Sequence, residues 1–200
     1  HSSLICVDLD TSIVAGIDEV GRGCIAGPVV AAIVILDPAN PIAGLKDSKT
    51  ISPRRRTLLS QCILEKALDW SIGRAEVSEI TSINILQATL LAMQRAYQGL
   101  HITPDWVWVD GNRYPEIPCQ GDSVVQGDRL IAEISAASII AKVHRDREMN
   151  FYDVLFPGYC FSKHKGYPTQ HHVQQLKALG VTAVHRPTFT PVNRLLIKAM

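Results

Sequence analysis

Apolar and polar positions alternate from Ile13 to Val20, with Ile13, Ala15 and Ile17 in phase. A period of two predicts a half-buried strand, and this one ends at Asp18-Glu19. The glycine-rich stretch Gly21 to Gly27 then reads as a turn, and the apolar run Pro28 to Leu36 as a second strand. Ser52-Pro53 offers a helix cap followed by proline at the first helical position, and Leu59, Cys62, Ile63, Ala67 and Trp70 recur behind it at helical spacing. A long amphipathic helix is expected there. Ser71 to Val77 reads as a third strand, and Glu79 to Tyr97 as a second helix that Gly99 is placed to end. The run Trp106 to Val109 is apolar without alternation, the pattern of a strand buried on both faces, and it stops at Asp110-Gly111. A short strand near Ser123 to Gln126 leads to Gly127-Asp128, and an Ala- and Ser-rich helix is expected from Ile131 to about Met149. Loops, a helix from about Thr169 to Leu179 and a short terminal helix complete the chain.

Strands mixed with helices in this rhythm predict an α/β or α+β layer protein on one central sheet. The 200 residues support one substantial core. One domain over residues 1–200 is therefore expected, with a helical C-terminal segment at about 169–200. No internal repeat or linker interrupts it. The composition, 46% apolar and 20% charged, is that of a globular chain rather than a disordered or fibrous one. Net charge is +1, so any basic surface must be local. The five cysteines, Cys6, Cys24, Cys62, Cys119 and Cys160, are widely spaced without a metal-ligand or redox pattern, which suits a reducing compartment. No apolar stretch reaches the roughly 20 residues that span a bilayer, so a cytoplasmic location without membrane contact is expected, and a monomer is the simplest state.

Four acids share one placement: Asp18 and Glu19 at the end of the first strand, Asp110 at the end of the buried strand, and Asp128 where a loop opens a helix. Strand ends at one sheet edge bring side chains distant in sequence into one cleft. Each acid taken alone reads as a cap, a turn residue or a solvated charge. As a set they read differently, because Asp18 and Asp110 follow apolar strands, where a buried carboxylate needs a partner or an ion. Clustered anions repel, and a divalent cation removes that cost. Mg²⁺ and Mn²⁺ favour oxygen ligands, so four carboxylates have the capacity for two ions flanking a phosphodiester.

The stretch Gly16-Ile17-Asp18-Glu19-Val20-Gly21-Arg22-Gly23 resembles the opening signature of bacterial ribonuclease HII. Further blocks follow in that family's order: Asp47-Ser48-Lys49, the Asn84 segment, Val109-Asp110-Gly111, Gly127-Asp128, Ser135-Ala136-Ala137-Ser138 running on to Ala141-Lys142-Val143, Arg145-Asp146, and His164-Lys165-Gly166-Tyr167. The resemblance extends from about residue 13 to Pro191. It implies an RNase H-like fold, a central mixed five-stranded sheet flanked by helices with a small helical C-terminal part. It implies that Asp18, Glu19, Asp110 and Asp128 are the catalytic, metal-binding acids, with Mn²⁺ or Mg²⁺ as cofactor. The implied reaction is hydrolysis of the RNA strand of RNA–DNA hybrids and nicking on the 5′ side of single ribonucleotides in duplex DNA. It leaves a 3′-hydroxyl and a 5′-phosphate and serves ribonucleotide removal from DNA. A sliding-clamp-type partner is an open possibility.

A protein that separates RNA from DNA must sense the 2′-hydroxyl. Gly21-Arg22-Gly23 directly follows the acid pair, and glycines let main-chain groups approach a sugar; a plain connection with Arg22 in solvent is the simpler alternative. The resemblance assigns this turn to gripping the ribose and Tyr167 to stacking on the next sugar. Lys49 and Asn84 are expected to meet substrate, with a helix cap as the alternative for Asn84. Arg54, Arg55 and Arg56 stay undecided between phosphate contact and simple solvation. Gln126 stands where the family often has lysine, and Cys24 is expected to be a packed thiol.

The seven histidines suggest a metal-free acid–base nuclease as a competitor. His164, His185 and His144 show no mutual spacing, however, and surface or hydrogen-bonded structural roles are expected. Two further rivals are an RNase H-like DNA nuclease or recombinase, which would cut all-DNA duplex equally, and a non-catalytic hybrid-binding module.

Overall fold

The computed structural model describes residues 12–45 and 50–200. The Asp47-Ser48-Lys49 block, with the expected contact from Lys49, lies outside the described residues, as does Cys6. Five strands, β1 (Val14–Val20), β2 (Val29–Ile35), β3 (Asp69–Ala75), β4 (Trp106–Asp110) and β5 (Gly121–Val124), form one sheet in the order β3-β2-β1-β4-β5. β1 runs antiparallel to β2 and β2 to β3, while β4 is parallel to both β1 and β5, so the sheet is mixed as expected. The helices are α1 (Pro53–Lys66), α2 (Val77–Gln98), α3 (Gly127–Leu130), α4 (Ala132–Leu155), α5 (Phe161–His164), α6 (Gln170–Leu179) and α7 (Val192–Lys198).

Every residue of β2 is buried, and its alternate residues enter two different cores. Val29, Ala31, Ile33 and Ile35 join Ala15, Ile17, Val107 and Val109 beneath Ala88, Ala92 and Ala96 of α2. Val30, Ala32 and Val34 face Ile63 of α1 and Ala136, Ala137 and Ile140 of α4. A strand covered on both faces needs no polar alternation, which is why the central run Pro28 to Leu36 is uniformly apolar. Small residues let α4 approach closely: a Cβ on Gly16 of β1 would run into the main chain at Glu133 and Ile134. The C-terminal helices pack on the β1–β2 connection, where Ile25 meets Leu176 and Val192.

Several boundaries differ from expectation for local reasons. Trp70 lies in β3, not on the first helix, because α1 ends at Lys66 and pairing with Val34 takes Trp70 into the sheet. Val77 opens α2 instead of closing β3, since Glu76 and Glu79 form a reciprocal capping box. β4 alternates after all: Val107 and Val109 are fully buried, whereas Trp106 and Trp108 are half-buried on the other face. β5 starts at Gly121, earlier than expected, and Gln126 is left-handed and opens α3. α4 continues beyond Met149 to Leu155, held by Tyr152 among Ala26, Tyr159 and Phe161. It stops two residues before Pro157, which disfavours helix at Phe156.

Candidate active site

The register of β1 and β4 pairs Ile17 with Val109, so Asp18 and Asp110 leave the sheet side by side. Asp18 is 6% exposed; it accepts from the Glu19 amide at 2.8 Å and bonds to Ser138 of α4. Burial, then the charges of Glu19 and Asp110, hold its carboxyl well above the usual carboxylate range. Burial also raises Glu19; the Arg22 guanidinium pulls against this and Asp110 adds to it. Arg22 Nη1 lies 3.8 Å from Glu19 Oε1, while the buried Oε2 has no hydrogen-bond partner. Asp110 Oδ1 accepts from the Gly127 amide at 2.8 Å, which fastens the start of α3 to the end of β4. Asp128, the next residue, is 4% exposed. The four acids therefore occupy one region of the molecule: three are coupled through their charges, and the fourth is joined through the Gly127–Asp110 bond.

Among the described residues, no three His, Cys, Asp or Glu groups converge closely enough to hold an ion as they stand. The chemistry of the set nonetheless fits a hard divalent cation. The donors are all oxygens, one buried carboxylate oxygen lacks a partner, and neighbouring anions resist ionising until positive charge arrives. A narrow cleft of about 50 Å³ opens on Glu19 and Asp110 between α2 and the loop at Asn112 and Arg113, with Arg22 at its edge. Asn112 and Arg113 were not singled out in the sequence, although they directly follow Asp110-Gly111.

The glycine turn is fixed from beneath by two buried arginines that the sequence reading did not assign. Arg186 is fully buried; it donates to the carbonyls of Gly21 (2.7 Å), Arg22 (3.2 Å), Cys24 (2.7 Å) and Gly27 (2.9 Å). Arg145 donates to Ala26 (2.7 Å), Pro28 (3.1 Å) and Lys165. Burial draws the Arg186 guanidinium down to about 10, so it stays protonated at neutral pH. Six carbonyls of the turn from Gly21 to Pro28 are thus held by buried guanidinium donors. Gly21 sits at φ +96° with Arg145 where a Cβ would be, a site only glycine fills comfortably.

Tyr167 stands beside this turn: its Cε1 would lie 3.9 Å from a Cβ on Gly23, and its hydroxyl bonds to the buried Cys24 thiol. Burial raises both groups. The expected neighbourhood of acids, glycine turn and tyrosine is thus present, and Cys24 is a packed free thiol. Asn84 has a local role, the cap given as its alternative. It kinks α2 at φ 72°, and its Oδ1 accepts from the Gln87 amide at 3.0 Å, capping the second half of the helix. Gln126 is exposed at the start of α3.

The histidines do have mutual geometry. His164 and His172 stack with centroids 3.7 Å apart, and His172 Nε2 lies 3.0 Å from His185 Nε2. All three are buried, and each also bonds to main chain: His164 to Tyr159 and Gly166, His172 to Tyr167, His185 to Thr182. This hydrogen-bonded structural role matches expectation; the convergence was invisible because loops of variable shape separate the three in sequence.

No helix among the described residues is long and apolar enough to cross a membrane. The family model for ribonuclease HII matches residues 15–192. The ribonuclease H2 structure from Pyrococcus horikoshii OT3 is similar at 25% identity and TM-score 0.78, over 92% of this chain and 97% of that one. The RNase HII of a PCNA:RNase HII complex from Archaeoglobus fulgidus matches at 24% identity and TM-score 0.74, over 89% and 95%. Bst-RNase HIII in complex with Mn²⁺ shares the fold at 18% identity and TM-score 0.70, over 94% and 70%. The chain belongs to the ribonuclease HII family and is a metal-dependent ribonuclease H.

Proposed function

We propose that this protein hydrolyses the RNA strand of RNA–DNA hybrids and nicks on the 5′ side of single ribonucleotides in duplex DNA, leaving a 3′-hydroxyl and a 5′-phosphate. Asp18, Glu19, Asp110 and Asp128 would hold the divalent cations, Mn²⁺ or Mg²⁺. The observation that carries this reading is the charge-coupled trio Asp18, Glu19 and Asp110 lying next to the Gly21-Arg22-Gly23 turn and Tyr167. Two such cations, when bound, supply an activated water and neutralise charge on the leaving oxygen.

The protein's own contribution is positional. Ser138 and the Glu19 amide orient Asp18, and the Gly127 amide orients Asp110. Arg145 and Arg186 hold the glycine turn rigid, which lets its main chain meet a 2′-hydroxyl without reorganising. The Tyr167 ring, 38% exposed, provides a flat surface for the adjoining sugar. The working unit in this reading is a cytoplasmic monomer spanning residues 1–200, with the segment 169–200 as its helical part. It acts in ribonucleotide removal, and a sliding clamp is a candidate partner.

The test is a duplex DNA carrying one ribonucleotide, incubated with Mn²⁺, with Mg²⁺ and with excess chelator beside an all-DNA control. Cleavage on the 5′ side of the ribonucleotide with either ion, and none in chelator, is expected. Equal cutting of the all-DNA duplex, or full activity in chelator, overturns the reading.

A further inference from the structure

The arginines at the start of α1 do not act alike. Arg54 and Arg55 are exposed, but Arg56 turns into a cavity of about 140 Å³ between α1 and α4. Arg147 and Lys165 also line it, so three cations face one small space. Asp146, the one acid there, is already held by Lys142 at 3.0 Å. Among the described residues, none of the three cations has a carboxylate partner. Lys165 Nζ donates to Asn150 Oδ1 at 3.1 Å, which occupies that oxygen and leaves the Asn150 amide as a donor. The space is therefore rich in positive charge and hydrogen-bond donors and poor in acceptors.

Its position ties it to the candidate active site. Ser138, which bonds Asp18, and Lys142, Asp146 and Asn150 recur every four residues along one stripe of α4. At about 1.5 Å per residue the stripe carries the cavity some 12 to 18 Å from the carboxylates. At about 3.4 Å of duplex axis per nucleotide, that is roughly four or five base-pair steps. The opposite wall, Lys165, lies two residues before Tyr167.

We propose that the cavity between Arg56, Arg147 and Lys165 is a binding site for one backbone phosphate of the substrate duplex, several nucleotides from the cleaved bond. It rests on the ribonuclease H reading and adds a contact that sets register without reading sequence.

The test is the salt dependence of binding to an RNA–DNA duplex in chelator, with cleavage in Mn²⁺ followed in parallel. Losing one phosphate contact flattens the slope of log affinity against log salt by about 0.9, so affinity falls about 3.5-fold less between 50 and 200 mM salt. Arg56→Gln and Arg147→Gln are each expected to show this, whereas Lys163→Gln, outside the cavity wall, is not. A single neutral methylphosphonate should weaken binding to the wild type at one position and have no effect there on Arg147→Gln. Unchanged slopes, an equal change in Lys163→Gln, or no such position overturns the proposal. Inorganic phosphate that binds without altering duplex affinity would also overturn it, assigning the cavity to a free anion. Failure of the wild type to cut the hybrid would strike the activity reading instead.

Discussion

Acid should destabilise this protein through three buried imidazoles outside its acid cluster. His172 Nδ1–H donates to the Tyr167 carbonyl, which makes its Nε2 the acceptor for His185 Nε2–H, and His185 Nδ1 then accepts from the Thr182 amide. His164 is placed likewise, donating to Tyr159 and accepting from Gly166. Every ring nitrogen is used with all three rings neutral, and one added proton sets donor against donor. Burial, and the neighbouring rings once charged, pull His172 down to about 4 and His185 to about 3, from 6.5. Asp153 and the Tyr159 carbonyl pull His164 upward while His171 pushes it down, and burial leaves it lowered. The sign follows directly. These groups are depressed in the fold, so between pH 6.5 and about 4 the unfolded chain binds more protons, and stability falls as pH falls. From pH 8 to pH 5 the loss is at most about 2 kcal/mol per imidazole, about 4 kcal/mol for His172 and His185 together, against a total stability of roughly 5–15 kcal/mol. Asp18 and Glu19 oppose it, because their raised carboxyls are relieved by protonation. Urea unfolding at the two pH values, for the wild type and for His172→Gln with His185→Gln, separates the contributions: the wild type should lose more. Imidazole ¹⁵N shifts provide a check that needs no variant to fold. Equal losses in both proteins, or His172 or His185 titrating near 6.5, would refute the reasoning.

Asp110→Asn keeps the shape and the Gly127 contact but removes a ligand charge, so turnover should drop by more than about 100-fold, the scale of losing a group that stabilises transition-state charge, with an unchanged circular dichroism spectrum. Near-normal turnover would exclude Asp110 from the site. Tyr167→Ala should lose about 1 kcal/mol, roughly fivefold in kcat/KM, at a single ribonucleotide and less on a long hybrid; uniform loss would deny it a recognition role. Gly16→Ala should cost about 1–3 kcal/mol by forcing β1 and α4 apart, read as a lowered urea midpoint with reduced activity.

The sheet and the strand-end placement of Asp18, Glu19 and Asp110 were legible in the sequence because both obey short-range rules. Apolar runs that stop at Asp18-Glu19 and at Asp110 mark strand exits, and parallel pairing of Ile17 with Val109 turns two distant exits into neighbours. Trp70 was misplaced for a related reason, since helical spacing cannot show where Lys66 ends α1 and pairing with Val34 begins. What lay beyond reach depends on where loops return. Arg186, 165 residues after Gly21, donates to that glycine's carbonyl, Arg145 reaches back 119 residues to Ala26, and His172 meets His185 only because the chain folds back after α6. No period in the chain announces these contacts. Yet they decide how the glycine turn is used: flexible glycines alone would leave a turn that must be ordered by its ligand, at about 1–2 kcal/mol per residue. Guanidinium groups gripping the carbonyls of Gly21, Arg22, Cys24, Ala26, Gly27 and Pro28 meet that cost during folding. In the proposed reading, a turn held in this way leaves binding energy at the ribose available for discrimination.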